Sequence, residues 1–133
     1  MAFLRHQTDD GHVPGIEYMP AGAITPKVGM ALKVTSGNLA IATAKDLPTY
    51  ISMVDKTAAL TAGDIIPVVR VDSDAIYEVA TPSTFSQAVG VKAQLGSDGL
   101  TLANSTGGAA EIVYTDAEIT RVRFVQPDAA GAG

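Results

Sequence analysis

Short apolar runs recur roughly every ten residues along this chain, and nearly all of them stop at glycine, proline or a small polar cluster. Such punctuation leaves no room for helices with a 3.6-residue apolar period. It suits strands joined by tight turns. Ile16-Glu17-Tyr18-Met19 alternates and stops at Pro20. Met30 to Val34 and Asn38 to Ala42 flank Thr35-Ser36-Gly37, a hairpin in which Gly37 supplies a positive φ. Tyr50 to Val54 follows Pro48. The turn Thr61-Ala62-Gly63-Asp64 launches Ile65-Ile66-Pro67-Val68-Val69-Arg70-Val71, the most β-prone run in the chain. Pro67 cannot donate to a ladder, which predicts an edge or bulged strand there. Asp72-Ser73-Asp74 turns into Ala75 to Ala80. Val89 to Leu95 and Leu100 to Ala103 bracket Gly96-Ser97-Asp98-Gly99, a second hairpin signal. After the flexible break Thr106-Gly107-Gly108 come Glu111 to Tyr114 and Ile119 to Val125. The pattern predicts one all-β domain, a compact β-barrel or β-sandwich of about nine or ten short strands. Two stretches, Asp55 to Leu60 and Pro82 to Ala88 with Ser83 as cap, suit a single helical turn.

The ends read differently from the middle. Residues 1–15 form an extended N-terminal arm: Arg5, His6, Gln7, Asp9, Asp10 and His12 are polar, and Gly11, Pro14 and Gly15 break regular structure. The arm is either a disordered terminus or a segment that orders against a partner. Residues 16–126 form the β-domain. Residues 127–133 form a flexible C-terminal tail of small residues.

Composition removes several functions. The 133 residues include no cysteine, so disulfides, thiolate catalysis and cysteine zinc sites are out. There is no Trp, and 3 Phe and 4 Tyr are too few for an aromatic stacking platform on nucleic acid. Nine basic residues in a chain of net charge −5 form no phosphate-binding track, and that balance also disfavours an anionic membrane. No apolar run approaches the ~20 residues of a membrane helix. The first residues, Met1 to Gln7, lack the apolar core of a signal peptide. The chain is expected to be soluble and to take no nucleic acid or membrane as partner.

A search for chemistry finds no catalytic residue, cofactor site or metal site. His6 and His12 lie beside Asp9 and Asp10, but a glycine-flanked arm does not hold ligands at fixed geometry. A Ser-His-Asp arrangement needs its histidine on a rigid scaffold. Asp72-Ser73-Asp74 resembles a fragment of a calcium loop, yet the sequence returns at once to strand pattern, which favours a polar turn. Asp64, Asp72, Asp74, Glu78 and Glu111 sit in turns or on alternating strands, where solvation is the default. Thr106 to Ala110 lacks the lysine and helix of a phosphate loop. Arg121 and Arg123 share a face of the last strand, with Arg70 placed on a neighbouring one. A solvent-exposed face of paired charges is the favoured reading, and an interface strand for an acidic partner is the other.

The segments Tyr18 to Leu32, Pro48 to Met53, Leu60 to Val71 and Ala88 to Leu100 resemble, in that order, the small head proteins of tailed bacteriophages. The similarity spans about residues 18–125 and rests on structural signatures such as the Asp98-Gly99 turn between strands. It implies a capsid decoration, or cement, protein. Such a protein is made in the host bacterial cytoplasm and sits on the outer surface of the assembled head. It is commonly a homotrimer and bridges major capsid protein subunits. The resemblance implies an arm that lies along the capsid, which places capsid-binding residues at Phe3, Leu4, Arg5, His6, Val13 and Ile16. Rival readings are a head fibre base, neck or tail component, or a carbohydrate-binding module using Tyr18, Tyr50, Tyr77 or Tyr114.

Overall fold

Among the described residues eleven strands carry the architecture: β1 (Leu4–Thr8), β2 (Ile16–Pro20), β3 (Ala31–Thr35), β4 (Asn38–Ile41), β5 (Tyr50–Ser52), β6 (Ile65–Arg70), β7 (Ala75–Ala80), β8 (Lys92–Leu95), β9 (Leu102–Thr106), β10 (Ala110–Thr115) and β11 (Ile119–Phe124). The computed structural model describes residues 3–8, 15–72 and 75–126, and none of them is helical. The strands form two antiparallel sheets. One has six strands in the order β1-β7-β11-β10-β8-β9, the other five in the order β2-β6-β5-β3-β4.

Strict alternation in sequence decides which side of each strand is dry. Along β7, Ala75, Tyr77 and Val79 are buried while Ile76, Glu78 and Ala80 are half-buried. Along β11, Thr120, Val122 and Phe124 are buried while Ile119, Arg121 and Arg123 face outward. Thr120 meets the hydroxyls of Thr81 and Thr115, and the other inner residues join Ala93, Leu95, Leu102, Ala110 and Ile112 of their own sheet and Ala31 and Ile51 of the other in one core. Phe124 is its centre, 5.3 Å from the Phe3 ring edge-on and 5.2 Å from the Tyr77 ring. Such pairs add about 0.5–1.5 kcal/mol to the burial itself.

The five-stranded sheet curls until its two edges meet. Just past β2, Ala21 bridges Leu39 of β4, and the Gly22 N–H donates to the Leu39 carbonyl at 2.9 Å. The inside of the curl is a second core of Ala21, Met30, Leu32, Leu39, Tyr50, Ile66 and Val68. This sheet is therefore a nearly closed small barrel, and the six-stranded sheet packs against part of its outside.

Several expectations hold, and several shift. The hairpins β3–β4 and β8–β9 lie where the glycine turns placed them. Ser36 (φ 50) and Gly37 (φ 82) both take the left-handed region, the geometry of a two-residue type I′ turn. Pro67 is not at an edge: β6 lies between β2 and β5. Its carbonyl accepts from the Met53 N–H at 3.0 Å, one residue beyond β5, so the missing donor falls where the ladder is already ending. Neither helical turn forms; Pro82 to Phe85 closes as a turn with the Phe85 N–H on the Pro82 carbonyl. Gly108 does not act as a flexible break. Its N–H donates to the Lys92 carbonyl at 3.1 Å, and an added Cβ would collide with the Ala93 carbonyl oxygen. Glycine is required there by close approach.

Residues 3–8 depart most from the expected arm. β1 pairs antiparallel with β7, Leu4 opposite Glu78 and Arg5 opposite Tyr77, with the register shifting between Arg5 and Gln7. Phe3 is 1% exposed, and its N–H donates to the Gly29 carbonyl at 3.0 Å. The polar run Arg5-His6-Gln7 hid an edge strand anchored by one phenylalanine. Residues 9–14, 73–74 and 127–133, including Val13, His12 and the tail, lie outside the described residues.

Candidate functional site

The outer face of the six-stranded sheet is charged. Glu111 of β10 stands opposite Lys92 of β8 on one side and Arg123 of β11 on the other. Arg121 stands opposite Glu78 of β7 and donates to its carboxylate at 3.0 Å. The Arg121 guanidinium also lies 5.1 Å from the Tyr114 ring. Opposite charges on adjacent strands are the mutually supporting arrangement. The Tyr114 hydroxyl donates to Asp116 at 2.8 Å, and Asp116 accepts the Glu118 and Ile119 N–H groups, both at 2.8 Å. Those backbone donors, then the Tyr114 hydroxyl, hold the Asp116 carboxyl below its ordinary range. Arg70 lies on the other sheet, away from Arg121 and Arg123. It forms a two-pronged exposed pair with Glu17 at 3.2 Å and stacks 5.2 Å from the Tyr50 ring.

The outer face of the barrel at β2 and β6 is the opposite kind of surface. Ile16, Tyr18 and Pro20 of β2 stand opposite Val69, Pro67 and Ile65 of β6, so all six share one face. Ile51 of β5, opposite Val69, continues that face and is buried beneath the six-stranded sheet. At β6 and β2 the cover has run out. Tyr18 is 70% exposed, Ile65 59% and Ile16 56%, with Met53, beside Pro67, at 42%. No charged side chain belongs to this group, because Glu17 and Arg70 point to the other side of the sheet. A contiguous apolar patch of this kind on a water-exposed sheet marks an interaction site.

Strand β2 also leaves backbone groups unpaired by β6. The Met53–Pro67 bond directs the peptide groups of odd-numbered β6 residues to β5, and those of Ile66 and Val68 to Met19 and Glu17. By alternation, the N–H and C=O groups of Ile16 and Tyr18 point away from the sheet. The seam to β4 closes only beyond them, at Ala21.

The expected site residues are scattered by this fold. Phe3 is core, Leu4, Arg5 and His6 are in β1, Val13 lies outside the described residues, and Ile16 begins β2 in the other sheet. Arg121 and Arg123 lie on the charged face. Tyr50 and Tyr77 are buried and Tyr18 and Tyr114 belong to different sheets, so no tyrosine platform is assembled. The sequence reading passed over Ile65 and Met53 as contact residues, and named Tyr18 only as one tyrosine of a carbohydrate-binding module. Their signal was present: Ile65 to Val69 is apolar without a break, and in a half-exposed strand one of its two faces must meet water.

Among the described residues no group of three His, Cys, Asp or Glu side chains is placed to hold a metal ion, and no helix is long and apolar enough to cross a membrane. An open cleft of about 380 Å³ is lined by Thr81 to Ser83, Phe85 to Gln87 and Thr115 to Ala117. Its one carboxylate, Asp116, is engaged by three donors. Comparison with protein-family models, curated proteins and solved structures returns no match to this chain.

Proposed function

We propose that the chain is a bacteriophage capsid decoration protein, binding the outside of an assembled head and bridging major capsid protein subunits. The observation that carries this reading is the contiguous apolar face of β2 and β6, on which Tyr18, Ile65 and Ile16 are each more than half exposed. The resemblance of residues 18–125 to small head proteins supplies the kind of partner.

The face is small. Six residues of β2 and β6 with Met53 fall well short of the roughly 20–30 residues per side of a standard stable interface. A single contact of that size is weak. On a shell presenting many identical sites, a cement protein that touches more than one subunit gains effective concentration for each further contact. Preference for the assembled shell then stabilises the shell by mass action. The acidic exterior keeps the unbound protein from associating non-specifically.

The test is sedimentation of purified protein with heads assembled in its absence. The expected result is saturable binding together with a higher disassembly temperature of the heads. No co-sedimentation at any protein concentration would remove this reading.

A further inference from the structure

We infer that the partner reaches this face as an extended chain, adding a strand to the free edge of β2 while its side chains cover Ile16, Tyr18 and Ile65. The inference rests on the decoration reading for the partner's identity, a capsid subunit, and adds the mode and chemistry of the contact.

Three observations lead to it. First, the peptide groups of Ile16 and Tyr18 point outward from an edge strand next to exposed apolar side chains. A segment with period-2 apolar residues satisfies both at once: main chain on the edge, alternate side chains on the face. Second, the accessible edge is short, because the Ala21–Leu39 bridge closes the seam one residue past β2. It takes a few residues of partner, not a whole sheet. Third, a second copy of this chain is a poor occupant. Antiparallel pairing of β2 with itself through Ile16 and Tyr18 places Glu17 opposite Glu17 of the other copy. Like charges directly opposite destabilise such a pair. Moving the centre to Tyr18 calls on the Pro20 carbonyl, beside the closed seam, and proline has no N–H to return. The partner segment therefore carries an apolar or basic residue opposite Glu17.

The experiment separates edge from face. Tyr18→Ala removes the ring and keeps the N–H; Tyr18→Pro removes both, at an outward position where an edge strand tolerates proline. Binding to heads assembled without the chain is measured for wild type and both variants, with melting curves to confirm folding. The expected result is about a tenfold loss for Tyr18→Ala and at least a further tenfold for Tyr18→Pro. Equal losses overturn strand addition while leaving the decoration reading intact. Absence of wild-type binding overturns the decoration reading, and the capsid partner with it. Amide hydrogen exchange of the wild type on heads decides the point even where Tyr18→Pro does not fold. New protection at Ile16 and Tyr18 but not at Glu17 and Met19 supports strand addition, and unchanged exchange at Ile16 and Tyr18 overturns it.

Discussion

On the outside of the six-stranded sheet, Lys92, Glu111 and Arg123 stand side by side on three adjacent strands, and Arg121 meets Glu78. On the outside of β2 and β6, six neighbouring side chains carry no charge, and three of them are more than half exposed. Both faces reach water, yet only the first is built to stay there. Covering the charged face would cost the hydration of ions whose mutual attraction at the surface is modest. Covering the apolar face releases water and returns roughly 25 cal/mol for each Å² removed from solvent. Exposed sheet edges are normally guarded by charge, proline or bulges. β1 has an irregular register, whereas β2 leaves the peptide groups of Ile16 and Tyr18 outward beside apolar side chains. The difference teaches where a partner belongs without requiring its structure.

The largest expected effect tests whether the charged face has the backing described. Phe3→Ala empties the space beside Phe124 and should cost about 3–5 kcal/mol in urea unfolding. An unchanged midpoint would mean that residues 3–8 are an external arm, and the six-stranded sheet would lose its β1 edge. Arg121→Ala should cost less than about 1 kcal/mol, and less again in high salt, because its pair with Glu78 is about one-third exposed on both sides. A loss of several kcal/mol would show this face to be structural rather than solvated.

Ile65→Thr should shift stability by no more than about 0.5 kcal/mol, since the side chain is mostly in water. A large loss would mean that the apolar face is covered within the monomer. Acid unfolding should add a smaller, directional effect. Asp116 titrates lower in the folded than in the unfolded chain, so its contribution is complete above the ordinary carboxylate value near pH 4 and is lost as pH falls through its folded value. Asp46 behaves alike: burial pushes its carboxyl up, but hydrogen bonds from Lys33 and the Thr43 N–H, with the lysine charge, outweigh this and lower it. Melting temperatures of wild type and Asp116→Asn should converge below about pH 4 and separate above it. Parallel curves would leave Asp116 without a role in acid stability.

Much of this fold was legible because alternation and glycine turns are local. Gly37 and the Gly96–Gly99 segment marked two hairpins, and Val122 and Phe124 marked the inner side of β11. What escaped was decided by contacts distant in sequence. Phe3 looked like part of an arm because its partners are Phe124 and Gly29. Pro67 looked like an edge because the end of β5 beside it is not written in β6. The apolar face was missed for a related reason. Ile65 to Val69 read only as a β-prone run with an edge or bulge at Pro67, and only the sheet order shows which of its two sides is left uncovered.

The central claim is that the uncharged face of β2 and β6, not the charged face, meets the capsid. Its most direct measurement is binding to heads assembled without the chain, comparing Tyr18→Asp/Ile65→Lys with Arg121→Glu/Arg123→Glu at equal folded concentration. The account predicts that the first pair loses binding by about 100-fold or more while the second stays within a few-fold of wild type. Retained binding by the first pair with loss by the second would contradict it.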